Sequence, residues 1–151
     1  LAVATEAALS VGDMDGAARR LGAVEAMPPG HVAPALRAQW SRLSALLAAA
    51  RSDDGRVEAG FKAGAGLFRE LGMRYWLAVT LLQHGEWLSA RDRREEATDF
   101  LAEAGELFER LGATPWIERV RAAQPAGAAA DAERELSGPP EPEGEPSPVP
   151  S

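Results

Sequence analysis

The chain has 151 residues, is 46% hydrophobic and 26% charged, and sets 16 Lys and Arg against 23 Asp and Glu for a formal charge of −7. A length of this order holds one domain, or one domain and a tail. The absence of cysteine excludes disulfides, thiolate metal sites and a cysteine nucleophile. The acidic balance argues against a polyanionic partner such as DNA, RNA or an anionic membrane.

Lys62 is the only lysine, asparagine is absent, and Gly, Ala, Arg and Pro dominate. That composition reads as GC-rich bacterial coding and predicts a cytoplasmic bacterial protein. The opening at Leu1 rather than Met, with neither a basic n-region nor an apolar signal core, is expected of a piece of something larger. No apolar run approaches the roughly 20 residues that cross a bilayer.

Taken in order, Leu1–Ser10 and Met14–Ala26 are predicted as a short alanine-rich helix pair joined by Val11-Gly12-Asp13, with Pro28-Pro29-Gly30 as the break after it. Val32, Leu36, Trp40, Leu43 and Leu47 predict a helix over about 32–51, and Ser52-Asp53-Asp54-Gly55 a turn. Val57, Phe61, Gly64, Phe68 and Leu71 share one face of a helix over 56–71 that Gly72 stops. Residues 73–91 are apolar over most of a helical circumference, the pattern of a helix sandwiched between neighbours. Over 93–111, Ala97, Phe100, Leu101, Ala104, Leu107, Phe108 and Leu111 form one stripe. Asp92 and Glu95 have capping-box spacing, and Gly112 suits the left-handed position after the helix. Thr114-Pro115 then restarts a helix, with Thr114 as the expected N-cap. Period-two alternation is missing throughout, so the class is all-α.

From Pro125 onward the text changes. Seven of the 11 prolines, six carboxylates and one base lie there, and no aromatic residue. Such a composition predicts a disordered tail, because it buries too little apolar surface to offset the entropy of ordering. The division expected is a helical domain over 1–124 and an acidic Pro-rich tail over 125–151. Most of the net charge falls in the tail. The body is nearly neutral, and its arginines alternate with acids rather than forming a basic stripe.

A repeat underlies the helices. Phe68, Leu71, Gly72 and Trp76 recur as Phe108, Leu111, Gly112 and Trp116, an offset of 40 at every position. A period of this size built from two helices marks an α-solenoid, in which no unit buries its apolar face alone. The small residues at the expected crossing points resemble the tetratricopeptide repeat. Ala97 stands at the small-residue position of a second helix, with Gly85 and Leu88 before it and Leu101 and Ala104 after. The middle unit is anchored on Ala59, with Leu43, Leu47 and Ala50 before and Ala63 and Gly66 after. The first is anchored on Ala17, with Leu1, Thr5, Ala8, Leu21 and Val24. The period exceeds the 34 residues of the standard repeat. The segments FRELGMRYWLAVTLLQHGEWL and FLAEAGELFERLGATPWIERV are also similar to the C-terminal helical arrays of actinobacterial multidomain signalling proteins. In those, a class III adenylate/guanylate cyclase domain and an ATPase module precede the array, and LuxR-type ATPase regulators end in similar arrays. The resemblance implies an α-α superhelix of about three pairs, a capping helix and a tail.

Candidate chemistry is sparse. Gly60, Gly64 and Gly66 cluster, but GFKAGAGLF lacks the Gly-Lys-Ser/Thr ending of a phosphate loop and a preceding strand, so close helix packing is the expected role. His31 and His84 have no partner histidine at helical spacing. Asp53-Asp54 and Glu95-Glu96 stand where helix starts are predicted, where negative charge complements the dipole. Trp40, Trp76, Trp87 and Trp116 are read as core. No catalytic residue, cofactor or metal site is expected, and this segment is not expected to be an enzyme, whatever cyclase or ATPase precedes it. The expected work is binding: of a protein or peptide, or of the parent's own ATPase or cyclase domains. Sensing of a small effector in an ATP-binding transcriptional regulator is the alternative. By the family's geometry, Ser44, Ala48 and Arg51 on one first helix and Leu82, Glu86 and Ser89 on the next are the candidate partner-binding residues. Self-association through the N-terminal end of the array is a further expectation.

Overall fold

A computed structural model describes residues 2–28 and 30–124. The tail assigned to 125–151 lies outside them, as does Leu1. Among the described residues there are seven helices and no strand: α1 (Ala2–Ser10), α2 (Met14–Glu25), α3 (Pro34–Ala50), α4 (Asp54–Glu70), α5 (Arg74–Ala90), α6 (Arg94–Leu111) and α7 (Thr114–Ala123). No helix is long and apolar enough to cross a membrane.

The 40-residue offset governs the whole described chain. Helices α2, α4 and α6 begin at Met14, Asp54 and Arg94, and α3, α5 and α7 at Pro34, Arg74 and Thr114. Buried positions follow the same step: Ala17, Val57 and Ala97; Leu21, Phe61 and Leu101; Val24, Gly64 and Ala104. The turns keep it too. Gly12, Ser52 and Asp92 each have positive φ, as do Gly72 and Gly112. At each, the next amide donates to a carbonyl five residues back: Asp13 to Ala8, Asp53 to Ala48, Arg93 to Leu88, Met73 to Phe68 and Ala113 to Phe108. This arrangement closes the helix end and turns the chain into the next helix.

Each second helix folds back on the first, and α3 with α4 and α5 with α6 are the most extensive contacts. Ten residues of α5 are buried: the run Leu77–Gly85 and Leu88. One core therefore runs from Ala38 through Phe68, Ala78, Leu82, Leu101 and Phe108 to Val120, while Ala8, Ala17, Leu21, Leu43 and Leu47 form a second under α1 and α2. The repeat-equivalent aromatics pack alike, with Phe68 stacked on Trp76 at 6.4 Å and Phe108 on Trp116 at 5.3 Å.

The helix starts differ from expectation. Helix α3 begins at Pro34 rather than 32, because proline lacks the N–H that a first-turn residue need not donate. Asp92 makes no capping box: it occupies the left-handed turn position, so the N-cap is Arg93 and Asp92 pairs with Arg94 at 3.4 Å. Thr114 is the first helical residue and Ala113 the N-cap. Asp54 and Gly55 are already helical. Asp53 holds the N-cap position without a side-chain cap, because its carboxylate meets Arg56 at 3.3 Å instead. Asp13 does cap, accepting from the Gly16 amide at 2.8 Å. The register of the middle unit also shifts. Ala59 and Ala63 are exposed, and Val57 and Gly64 take the buried positions.

Two glycines of α4 that look alike in sequence differ here. A Cβ on Gly60 would come within 2.9 Å of the Ser41 carbonyl oxygen and of the Ala45 Cβ, whereas one on Gly66 would meet nothing within 4 Å. Gly60→Ala is expected to destabilise the fold by about 1–3 kcal/mol through overpacking against backbone. Gly66→Ala is expected to stabilise it by about 0.5–1 kcal/mol through helix propensity. Ser52→Gly, which relieves a side chain in left-handed backbone, should add up to about 1 kcal/mol. Urea unfolding of the three variants checks the signs.

Candidate functional site

The six residues expected to share a partner-binding face divide in the structure. Ser44, Ala48 and Arg51 line a groove of about 610 Å³ floored by α3 and walled by α2 and α4, with Leu21, Trp40 and Gly60. Glu86 and Ser89 line a separate groove of about 400 Å³ between α5 and α7, with Arg119 and Ala122. Leu82 is fully buried and lines neither. The α3 residues thus face α2 and their own hairpin partner α4, and the α5 residues face α7.

What does connect the first helices is a polar line that the spacing argument missed. Arg42, on α3, is wholly buried. Its Nε donates to Gln39 Oε1 and one terminal nitrogen to Gln83 Oε1 on α5, both at 3.1 Å. The two terminal nitrogens fork onto the Glu6 carboxylate of α1 at 3.1 and 3.3 Å. The guanidinium also lies over the Trp76 ring, 4.9 Å from its centroid. Farther along, Arg119 of α7 takes Glu86 of α5 in a fork of two 2.7 Å bonds and covers Trp116. The Glu86 bonds push the Arg119 pKa up from its usual value. Helices α1, α3, α5 and α7 are therefore joined by guanidinium–carboxylate and guanidinium–amide contacts. A signal was present in the sequence: at the 40-residue offset Arg42 falls on Leu82, a buried position, so an arginine there demands partners.

His84 is the other buried polar residue of note. It lies between Phe61 of α4 and Phe100 of α6, with ring centroids 5.3 and 4.2 Å away, and its Nε2 has no hydrogen-bond partner. This is a packed histidine; the sequence alone left a packed or a surface position open. Burial drives its pKa down from 6.5 to about 4. Glu58 and Glu96 oppose the shift, and Lys62 and Arg93 add to it. Outside it, Arg93 donates to Glu58 at 2.5 Å and to Glu96 at 2.6 and 2.7 Å. These bonds lower both carboxyl pKa values and raise that of Arg93. Arg91 and Arg93 both lie over the Trp87 ring, their guanidinium carbons 5.5 and 5.8 Å from its centroid, and Arg91 reaches back to Asp54. These charges tie α4 to α5 and α6, and nothing in them gathers on an open cleft. No group of three His, Asp or Glu side chains able to hold a metal occurs among the described residues.

Compared with protein-family models, curated proteins and solved structures, the chain finds no match.

The unfolded chain, with a histidine pKa near 6.5, binds more protons than the folded one between pH 6.5 and about 4. Stability is therefore complete above pH 6.5 and declines as pH falls through that window, by about 1–2 kcal/mol at pH 5 for this group. His84→Leu should remove this component of the acid sensitivity. Urea midpoints of both proteins at pH 7 and pH 5 test it.

Proposed function

We propose that the helical array is a protein-interaction module of the tetratricopeptide-like type, an α-α superhelix that forms the regulatory C-terminal part of a nucleotide-cyclase- or ATPase-bearing signalling protein. The observation that carries this reading is the 40-residue recurrence of helix starts, buried positions and turn geometry through α2–α7. Arrays of identical hairpins present a row of first helices, and such rows serve as extended binding surfaces. The buried polar groups support the same reading. They are joined in structural pairs between helices rather than converging on a reacting position, so the work assigned is recognition and not bond-making. The partner is a protein or peptide, or the parent's own ATPase or cyclase domains, and the setting is the bacterial cytoplasm.

One observation favours effector sensing as a second reading. The groove between α2 and α4 is of ligand size and combines the apolar walls Leu21, Trp40 and Leu47 with polar groups at Ser44, Arg51 and Arg56.

Deleting residues 1–124 from the signalling polypeptide that carries them should abolish partner association and change the activity of its catalytic domain severalfold. Unchanged association and activity would refute the module reading. Under the second reading, a small effector at roughly a hundred times its Kd adds about 2.7 kcal/mol of stability. A thermal-shift and tryptophan-fluorescence screen of the intact chain would detect it, and Trp40→Phe should remove the fluorescence response.

A further inference from the structure

Arg42 is the largest fully buried side chain of the described residues, and its charge is balanced by a single carboxylate. Two features mark that carboxylate. The Glu6 side chain is 42% exposed although the guanidinium it neutralises is not exposed at all. It also belongs to α1, an element of nine residues that fully buries Thr5 and Ala8 and packs Ala2 and Leu9 against the same core as Ala8. The rest of the Arg42 shell comes from the two central hairpins: Gln39 fixes the Nε, Gln83 holds one terminal nitrogen, and Trp76 supports the planar face. Contacts from α3 and α5 thus hold the fork beside the Glu6 carboxylate, and a guanidinium so placed matches a carboxylate bidentately. A buried guanidinium left unpaired is costly, so a departing Glu6 requires a replacement anion.

We propose that Arg42 is a carboxylate-recognition site on the row of first helices, that Glu6 of α1 plugs it from within the chain, and that a glutamate or aspartate of an acidic segment in a partner protein displaces the plug. The site rests on the interaction-module reading and deepens it: it names the partner's chemistry and makes α1 an autoinhibitory strap. Selectivity follows from the same geometry. An amide side chain offers one acceptor oxygen, as Gln39 and Gln83 do, and lacks the charge and the second oxygen that the fork takes from Glu6, so the glutamine analogue of such a segment binds more weakly.

The test uses the full chain and a short fluorescein-labelled peptide carrying a run of glutamates, with its glutamine counterpart as control, read by fluorescence anisotropy at fixed ionic strength. Glu6→Gln weakens the plug and should tighten binding of the acidic peptide roughly tenfold or more. Glu6→Asp, which withdraws the carboxylate by one methylene, should give a smaller gain, and it keeps the comparison available if the amide variant loses helix by circular dichroism. Adding Arg42→Gln to either variant should abolish the gain. Equal affinities for wild type and both Glu6 variants, or equal binding of the acidic and glutamine peptides, overturns the proposal. So does a comparable gain from neutralising Glu141, Glu143 and Glu145, which would make the chain's own tail the plug. None of these failures bears on the module reading, which the deletion of 1–124 tests separately.

Discussion

The burial of α5 on more than one side is the constraint from which the rest of the fold follows. Its run Leu77–Gly85 carries apolar or neutral groups all round the helix, so no single neighbour can remove it from water. Helix α4 covers it through Phe61 and Phe68, α6 through Leu101 and Phe108, and α7 completes the cover at Val120. Each of those helices is amphipathic and needs the same service in return. Hairpin stacking satisfies both demands at once, and the fixed 40-residue step lets every hairpin meet the next through equivalent positions. Gly85, whose missing side chain leaves room for Leu101, lets α6 approach closely, as Gly60 lets α4 approach α3.

A core built this way makes stringent demands on any polar side chain inside it. Arg42 and His84 answer them differently. Arg42 is supplied with a carboxylate, two amides and an aromatic face drawn from three helices, so its charge is retained in the interior. His84 receives aromatic neighbours and no hydrogen bond at Nε2, so it is kept neutral. The first arrangement leaves a charge whose partner can be exchanged; the second leaves a group that loosens the α4–α5–α6 junction when protonated. Both depend on side chains brought together from separate hairpins.

The chain's periodicity made the helices legible. Phe68, Leu71, Gly72 and Trp76 matched to Phe108, Leu111, Gly112 and Trp116 gave the repeat, and the glycine stops after α4 and α6 fell where the backbone turns left-handed. The finer positions were harder. Asp92 looks like a cap because Glu95 follows it at the right spacing, yet the repeat assigns it the turn position that Gly12 and Ser52 hold. Local side-chain chemistry lost to the geometry of the link between helices. Ala59 looked like the small residue of the middle crossing by its size, while the offset from Ala97 pointed to Val57, which is the buried one. Size alone does not identify a contact position when alanine is common on every face.

The sequence by itself determined the all-α class, the number and order of the described helices and the period, because each rests on interactions between residues near one another along a helix or at a fixed step. Only the tertiary structure decided which polar residues meet. Ser44, Ala48 and Arg51 parted from Glu86 and Ser89 because the two sets are not equivalent in the repeat: at the 40-residue step the first set falls on His84, Leu88 and Arg91. The Glu6–Arg42–Gln83 line spans three helices and separations of 36 and 41 residues. It exists because the hairpins stack in one register, and a stacking register is a property of the assembled core.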